Sequence, residues 1–379
     1  MEAAAALRAT REEKDRLLHD FIRLCEIPSP SGRERRVADV VRAELEGAGI
    51  EVLEDETGAE TGSDSGNLLA RIPGPHDART ILLGAHLDTV PLAAPVEVSN
   101  EEGMLTNRNE AILGADNKTA VAILVAVARR LARAGSPVGV DLLFTTCEEP
   151  GLLGARFFDS SQLRAEYGYV FDHASPVGEV IVAAPTYYRI GAHFHGHAAH
   201  AGVRPEDGHN AIAAAARAID RMRFGRLDEG TTANVGTIEG GSARNVVAEH
   251  CVVEFEARSL DQARAASLVS EMVDAITEAA SDFECDVETD VAELSRGFRL
   301  APSSQAVTVA TRALEGIGVE PVLRPTGGGS DANAFNQQGI PCVNLADGVQ
   351  HNHEPTERVS VDSLERMLDV ALGLVAHSA

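Results

Sequence analysis

Short apolar runs punctuate the chain, each ending on a carboxylate or a histidine, with helical patterns between them. Ile81-Leu82-Leu83-Gly84-Ala85 leads into His86-Leu87-Asp88, the run 138–145 into Glu148-Glu149, and Tyr169-Val170-Phe171 into Asp172, while the apolar stretch 341–345 precedes 350–353. Runs of this length with no polar alternation suit strands covered on both faces, and their alternation with helices predicts a parallel sheet. In an open α/β sheet, binding groups collect beyond the carboxyl ends of the strands, which is where these polar residues fall.

The helical patterns frame the strands. Spacing predicts helices over 11–25 and 36–47, separated by Pro28-Ser29-Pro30-Ser31-Gly32, which cannot continue a helix. A third, over 117–134, is apolar on nearly every face until Arg129, Arg130 and Arg133, with Gly135 as its stop. From about 184 the pattern changes to strand 188–194, helix 210–222, strands 234–238 and 246–258, helix 261–280 and strand 286–291. That order is ferredoxin-like. After 295 the first style returns, with helices over 304–316 and 361–377. The expected fold is α/β: a mostly parallel sheet with helices on both faces, built from 1–183 and 296–379, interrupted by an α+β ferredoxin-like domain at 184–295.

Composition narrows the classes. A length of 379 residues at 44% hydrophobic content implies two or three cores. The net charge of −25 would repel polyphosphate, so nucleic acid and anionic membranes are poor partners. A cluster of acids that binds divalent cations would account for part of that excess. No apolar run reaches the roughly 18–20 residues of a membrane helix. The alanine-rich N-terminus is broken by charges from Arg8 onward, unlike a signal peptide, so a cytoplasmic location is expected. Cys25, Cys147, Cys251, Cys285 and Cys342 are scattered without CxxC spacing, which argues for reduced thiols and leaves any metal to N and O ligands.

Taken singly, each polar residue has a plain reading. His86 and Asp88 suit a strand end and a turn, Asp116 a helix N-cap, Glu148-Glu149 an exposed acidic loop, and Asp172 a turn. Together they supply what a two-cation site needs. A histidine binds through one nitrogen while a carboxylate two residues on fixes the other, a carboxylate such as Asp116 can bridge, and of two adjacent acids one binds while the other accepts a proton. Gly327-Gly328-Gly329-Ser330-Asp331-Ala332-Asn333 would suit an anion nest but lacks both a Walker lysine and dinucleotide spacing, so it is read as shaping a cleft. No GxSxG elbow occurs, which argues against a serine hydrolase. His173 is read as structural.

Gly84-Ala85-His86-Leu87-Asp88-Thr89-Val90, Gly114-Ala115-Asp116-Asn117-Lys118, Glu148-Glu149, Asp172, Ala199-His200-Ala201-Gly202 and His353 resemble the M20 zinc metallopeptidases, nearest to the peptidase T branch. The resemblance runs from about Leu17 to the C-terminus, although the stretch between Asp88 and Asp116 is shorter than in peptidase T proper. It implies two divalent cations per chain, zinc by family, with Asp116 bridging, His86 and Asp172 completing one site, and Glu149 and His353 the other. It makes Glu148 the general acid/base, Asp88 the orienting carboxylate, and His200, Asn245 and Arg258 substrate-binding residues. The domain 1–183 with 296–379 would be catalytic and 184–295 a lid through which a homodimer could form. The closing motif, His353-Glu354-Pro355-Thr356-Glu357, favours His353 over His351 as the last ligand. The implied activity is an aminopeptidase acting on tripeptides; an N-acyl amino acid deacylase, a dipeptidase and a carboxypeptidase share the chemistry. A non-catalytic metal or peptide binder on the same fold would leave Glu148 unexplained.

Overall fold

A computed structural model describes residues 8–379, so the first seven residues of the alanine-rich N-terminus lie outside the described residues. The chain divides into two compact units, one comprising Met1–Ala183, Arg299–Pro325 and Ser330–Ala379, the other Ala184–Phe298 with Thr326–Gly329.

At the centre of the first unit, strands Gly139–Thr145, Thr80–His86, Tyr167–His173 and Cys342–Ala346 lie side by side and parallel. Leu68–Ile72 joins one margin antiparallel to Gly139–Thr145, and Glu179–Ala184 joins the other antiparallel to Cys342–Ala346. The four parallel strands therefore end at one edge, and His86 stands in register with Thr145. Gly139–Thr145 is buried along its whole length, as a strand covered on both faces must be.

The helix Ala115–Ala134 is buried almost continuously as far as Leu131, in keeping with its apolar pattern. Asp116 (φ −80°, ψ 103°) and Asn117 (φ −119°, ψ 29°) lie outside helical geometry, and the capping position is taken by Gly114 in a left-handed conformation (φ 74°). Asp116 is thus no N-cap, and its carboxylate is free for other work. At the far end Arg129 pairs with Asp20 (2.5 Å) and Glu44 (2.6 Å), and Arg130 with Glu13 (2.7 Å), tying this helix to Arg11–Cys25 and Arg35–Gly47.

A small antiparallel sheet of Val98–Glu101, Met104–Asn107 and Arg358–Ser360 has no counterpart in the patterning above. Its third strand lies some 250 residues beyond the hairpin it joins, a pairing no local pattern announces.

In the second unit an antiparallel sheet runs Gly225–Arg226, Thr231–Gly240, His250–Ser259, Thr186–His195, Asp286–Ser295. Helices Ala211–Arg221 and Gln262–Asp282 pack on one face, sharing a core with Ile190, Phe194, Val253, Phe255, Met272 and Ile276. Cys251, Val253, Phe255 and Ala257 are buried while their neighbours are not, the period-two burial of a one-sided sheet.

Candidate metal centre

Each parallel strand delivers its terminal residues to the shared edge. The Nδ1 of His86 faces the main-chain oxygen of Asp88 at 3.0 Å, closer than the Asp88 carboxylate at 3.4 Å, and this leaves Nε2 directed at Asp116 Oδ1 (3.1 Å) and Asp172 (3.7 Å). With the Nδ1 proton directed at Asp88, Nε2 keeps the lone pair that can ligate a cation. Asp88 is fully buried; its carboxylate accepts the main-chain N–H of Glu148 (2.9 Å) and of Glu149 (3.2 Å) and the Ser31 hydroxyl (2.7 Å). Asp88 therefore orients the acid pair as well as lying beside His86. Asn117 ties the helix start to two strands, donating to Phe171 O (2.6 Å) and accepting from His86 N (3.3 Å).

The second half of the cluster meets at Asp116. Its Oδ2 lies 3.2 Å from His353 Nε2 and accepts from Asn352 Nδ2 (3.0 Å), and His353 Nε2 stands 3.1 Å from Glu149 Oε1. His351 faces Glu354 (3.5 Å) instead, so the structure sets His353, not His351, beside the acids. Donor atoms of His86, Glu148 and Asp172 lie within 4.8 Å of one another, as do those of His86, Asp116 and Glu149. The main-chain N–H of Asp172 lies outside this cluster and donates to Asn344 Oδ1 (2.9 Å), which locks the strand end to its neighbour.

The cluster is short of positive charge. Burial and then Asp172 push the Glu148 carboxyl well above the usual carboxylate range, and burial and then Asp116 push Asp172 up to about 8. Burial works against protonating His86, but hydrogen bonds with Asp116, Asp172 and Asp88 outweigh it and hold the imidazole well above its ordinary value. Asp116 and Glu149 raise His353 to about 10. Burial alone would raise Asp116; His353 and His86 pull it below the ordinary range. Divalent cations held here would supply the positive charge the acids lack and would displace protons from their ligands on binding. The residues fit such ions: N and O donors of His86, Asp116, Glu148, Glu149 and Asp172 converge in two overlapping groups.

In the second unit, the turn bearing His200 is docked on the segment bearing Asn245, through Ala201 N to Asn245 O (3.0 Å) and Val247 N to Ala199 O (2.9 Å). Both residues are exposed. Arg258 stacks 4.0 Å from the Tyr187 ring centre and pairs with Glu256 (3.0 Å). His173 faces Glu179 (3.7 Å), and burial lowers its pKa.

Three buried acids near the cluster were assigned no individual role from the sequence, although Asp331 lies in the glycine run and Glu357 in the closing motif. Asp331 accepts from the Thr145 hydroxyl (2.5 Å) while its Oδ1 is buried without a hydrogen bond, and burial raises it to about 6. Asp347 accepts from Val349 N (3.0 Å), and burial followed by Asp116 holds it well above the carboxylate range. Glu357 accepts from Gly114 N (2.7 Å) and Asp116 N (2.9 Å). Asp331 adjoined the glycine run, but nothing around Asp347 or Glu357 signals burial. Lys118, also buried, reaches Ser29 Oγ (2.5 Å) and Leu87 O (2.7 Å), pinning the loop before the second helix to the end of the His86 strand.

A parallel sheet that gathers two histidines and a group of buried acids at its carboxyl edge has the architecture of a metal-dependent hydrolase. The peptidase dimerisation domain of the M20 family matches residues 186–284, and peptidase family M28 matches 67–181. The Bacillus subtilis protein YqjE is 36% identical over 365 residues, covering 96% of this chain and 98% of its own length. The aminopeptidase PepT from Bacillus cereus superposes with a TM-score of 0.88 at 36% identity, over 96% of this chain and 98% of that one. A tripeptidase from Staphylococcus aureus does so with a TM-score of 0.92 at 33% identity, with the same coverage of both chains. The chain belongs to the M20 metallopeptidase family, on its peptidase T-like branch. It is a peptide-bond hydrolase.

Proposed function

We propose that this peptidase is a two-cation aminopeptidase that releases the N-terminal residue of tripeptides. The observation that carries the reading is Asp116, whose two carboxylate oxygens face different histidines, His86 at 3.1 Å and His353 at 3.2 Å, as a bridging ligand's would. His86 and Asp172 would complete one site and Glu149 and His353 the other. Cations held there, zinc by the family resemblance, would supply Lewis acidity that polarises the scissile carbonyl and acidifies the attacking water.

Glu148 would accept a proton from the attacking water and deliver it to the departing amine. Its buried position beside the ligand cluster suits a carboxylate that exchanges protons rather than binding a cation. Asp88 keeps Glu148 and Glu149 in place by gripping their main-chain amides. In the same proposal His200, Asn245 and Arg258 bind the substrate, with guanidinium and amide donors suited to a carboxylate. The domains 1–183 with 296–379 and 184–295 act as catalytic domain and lid, and chains pair through the lid as a homodimer.

Turnover of the metal-loaded enzyme on free tripeptides, dipeptides, N-acetylated tripeptides and N-acyl amino acids, measured side by side, tests the specificity. The free tripeptides are expected to be cleaved fastest. Cleavage confined to the N-acylated compounds would replace the aminopeptidase reading with a deacylase.

A further inference from the structure

The loop between Gln350 and Arg358 is closed at its base by reciprocal main-chain hydrogen bonds of 2.9 and 3.0 Å between those residues. Along its length His351, His353, Glu354, Pro355 and Thr356 are exposed and Asn352 is half-buried; Glu357 alone turns fully inward, at 2% exposure. A buried carboxylate is costly unless its oxygens are satisfied. Here both are, by main-chain N–H groups on either side of Ala115: Gly114 at 2.7 Å and Asp116 at 2.9 Å. The left-handed Gly114 and the extended Asp116 turn these two amides toward one fork.

The same loop grips Asp116 a second time, through its side chain, with Asn352 at 3.0 Å and His353 at 3.2 Å from Oδ2. Backbone and carboxylate of one residue are thus both held from a segment more than 230 residues away in sequence. His353 itself sits at a positive φ of 64° with its side chain 46% exposed, so its own packing does little to place it.

We infer that Glu357 is a positioning residue that locks the Asp116 and His353 segments into a common register and thereby sets the cation affinity of the centre. The inference rests on the metal reading above. Glu357 touches neither substrate nor the reacting atoms; it acts through the backbone of Asp116. In Glu357→Gln one acceptor becomes an NH2 group that confronts an N–H, so one of the two hydrogen bonds is lost and the register loosens.

The test is titration of the metal-free protein with cobalt(II) alone, followed by its absorbance, for wild type, Glu357→Gln, Glu357→Asp and, as a loop control, Glu354→Gln. Loss of a supporting hydrogen bond behind metal ligands typically weakens affinity by roughly 10- to 100-fold, and that drop is expected for Glu357→Gln, with faster amide hydrogen exchange at Gly114 and Asp116. Glu354→Gln is expected to bind as wild type does. A merely structural role would lower the melting temperature and leave the affinity of the folded protein unchanged, which would overturn the inference, as would an equal loss in Glu354→Gln. Should Glu357→Gln fail to fold, Glu357→Asp, which keeps the charge but draws the fork back by one methylene, decides by the same criterion. Wild type that takes up no cobalt would instead sink the metal reading itself.

Discussion

Glu148 and Glu149 are adjacent and chemically alike, yet the structure separates their surroundings. Glu149 Oε1 stands 3.1 Å from His353, whereas Glu148 is 8% exposed with its proton affinity raised by burial and by Asp172. Asp88 makes the division possible by fixing both main-chain amides. Glu148→Gln keeps the volume and the Asp88 contact, so the fold and the metal content should persist. Turnover should fall by roughly 10²- to 10⁴-fold, the usual contribution of a positioned acid/base. Steady-state kinetics beside metal analysis of the same preparation check this, and undiminished turnover would remove Glu148 from the mechanism.

Among the elements, Ala115–Ala134 connects site to core. Its apolar face is nearly complete because neighbours cover it on most sides; Ile123, for one, is fully buried. Ile123→Ala should cost about 3 kcal/mol, within the ~2–5 kcal/mol of such truncations, read as a lower midpoint in chemical denaturation. At its other end the helix is held by ion pairs, and there the stability depends on pH. Glu44 is partly buried, and its hydrogen bonds to Arg23 and Arg129 outweigh the desolvation that would raise it, so its pKa lies below the ordinary 4.5. A carboxylate depressed on folding stabilises above its unfolded pKa and loses that contribution as pH falls through the folded one. The melting temperature of Glu44→Gln should therefore trail wild type near pH 6 and approach it as pH falls below the ordinary 4.5, by an amount within about 1 kcal/mol because the pair is partly solvated. A constant gap across that range would mean that packing, not charge, holds this corner.

The elements were legible in proportion to how locally they are determined. The helices predicted over 11–25 and 361–377 appear as Arg11–Cys25 and Val361–His377, because caps and apolar spacing act within a few turns. The hairpin Val98–Asn107 and its partner Arg358–Ser360 were missed: Ser99-Asn100-Glu101 carries no alternation, and the third strand arrives from the end of the chain.

Over the whole molecule, the sheet order explains which candidate site residues could be read in advance. His86, Asp172 and the acid pair each follow an apolar run, so strand patterning carries them to a common edge. Asp331, Asp347 and Glu357 become visible only when distant segments enclose them, and Glu357 in particular lies among exposed neighbours. The distribution of acids also predicts the response to metal. Cations bound only by the folded state stabilise it by mass action, by about 4 kcal/mol at a thousandfold excess over the dissociation constant. Chelation should therefore lower the melting temperature as well as abolish turnover, and both should return on adding zinc. A homodimer through the second unit would double the mass seen by light scattering.

The proposed function depends on two cations sharing Asp116. Elemental analysis of the zinc-reconstituted, gel-filtered protein, wild type beside Asp116→Ala, addresses it most directly. Two ions per chain in wild type and a marked loss in the variant are predicted; a wild-type content of one or none, or two retained without Asp116, would contradict the account.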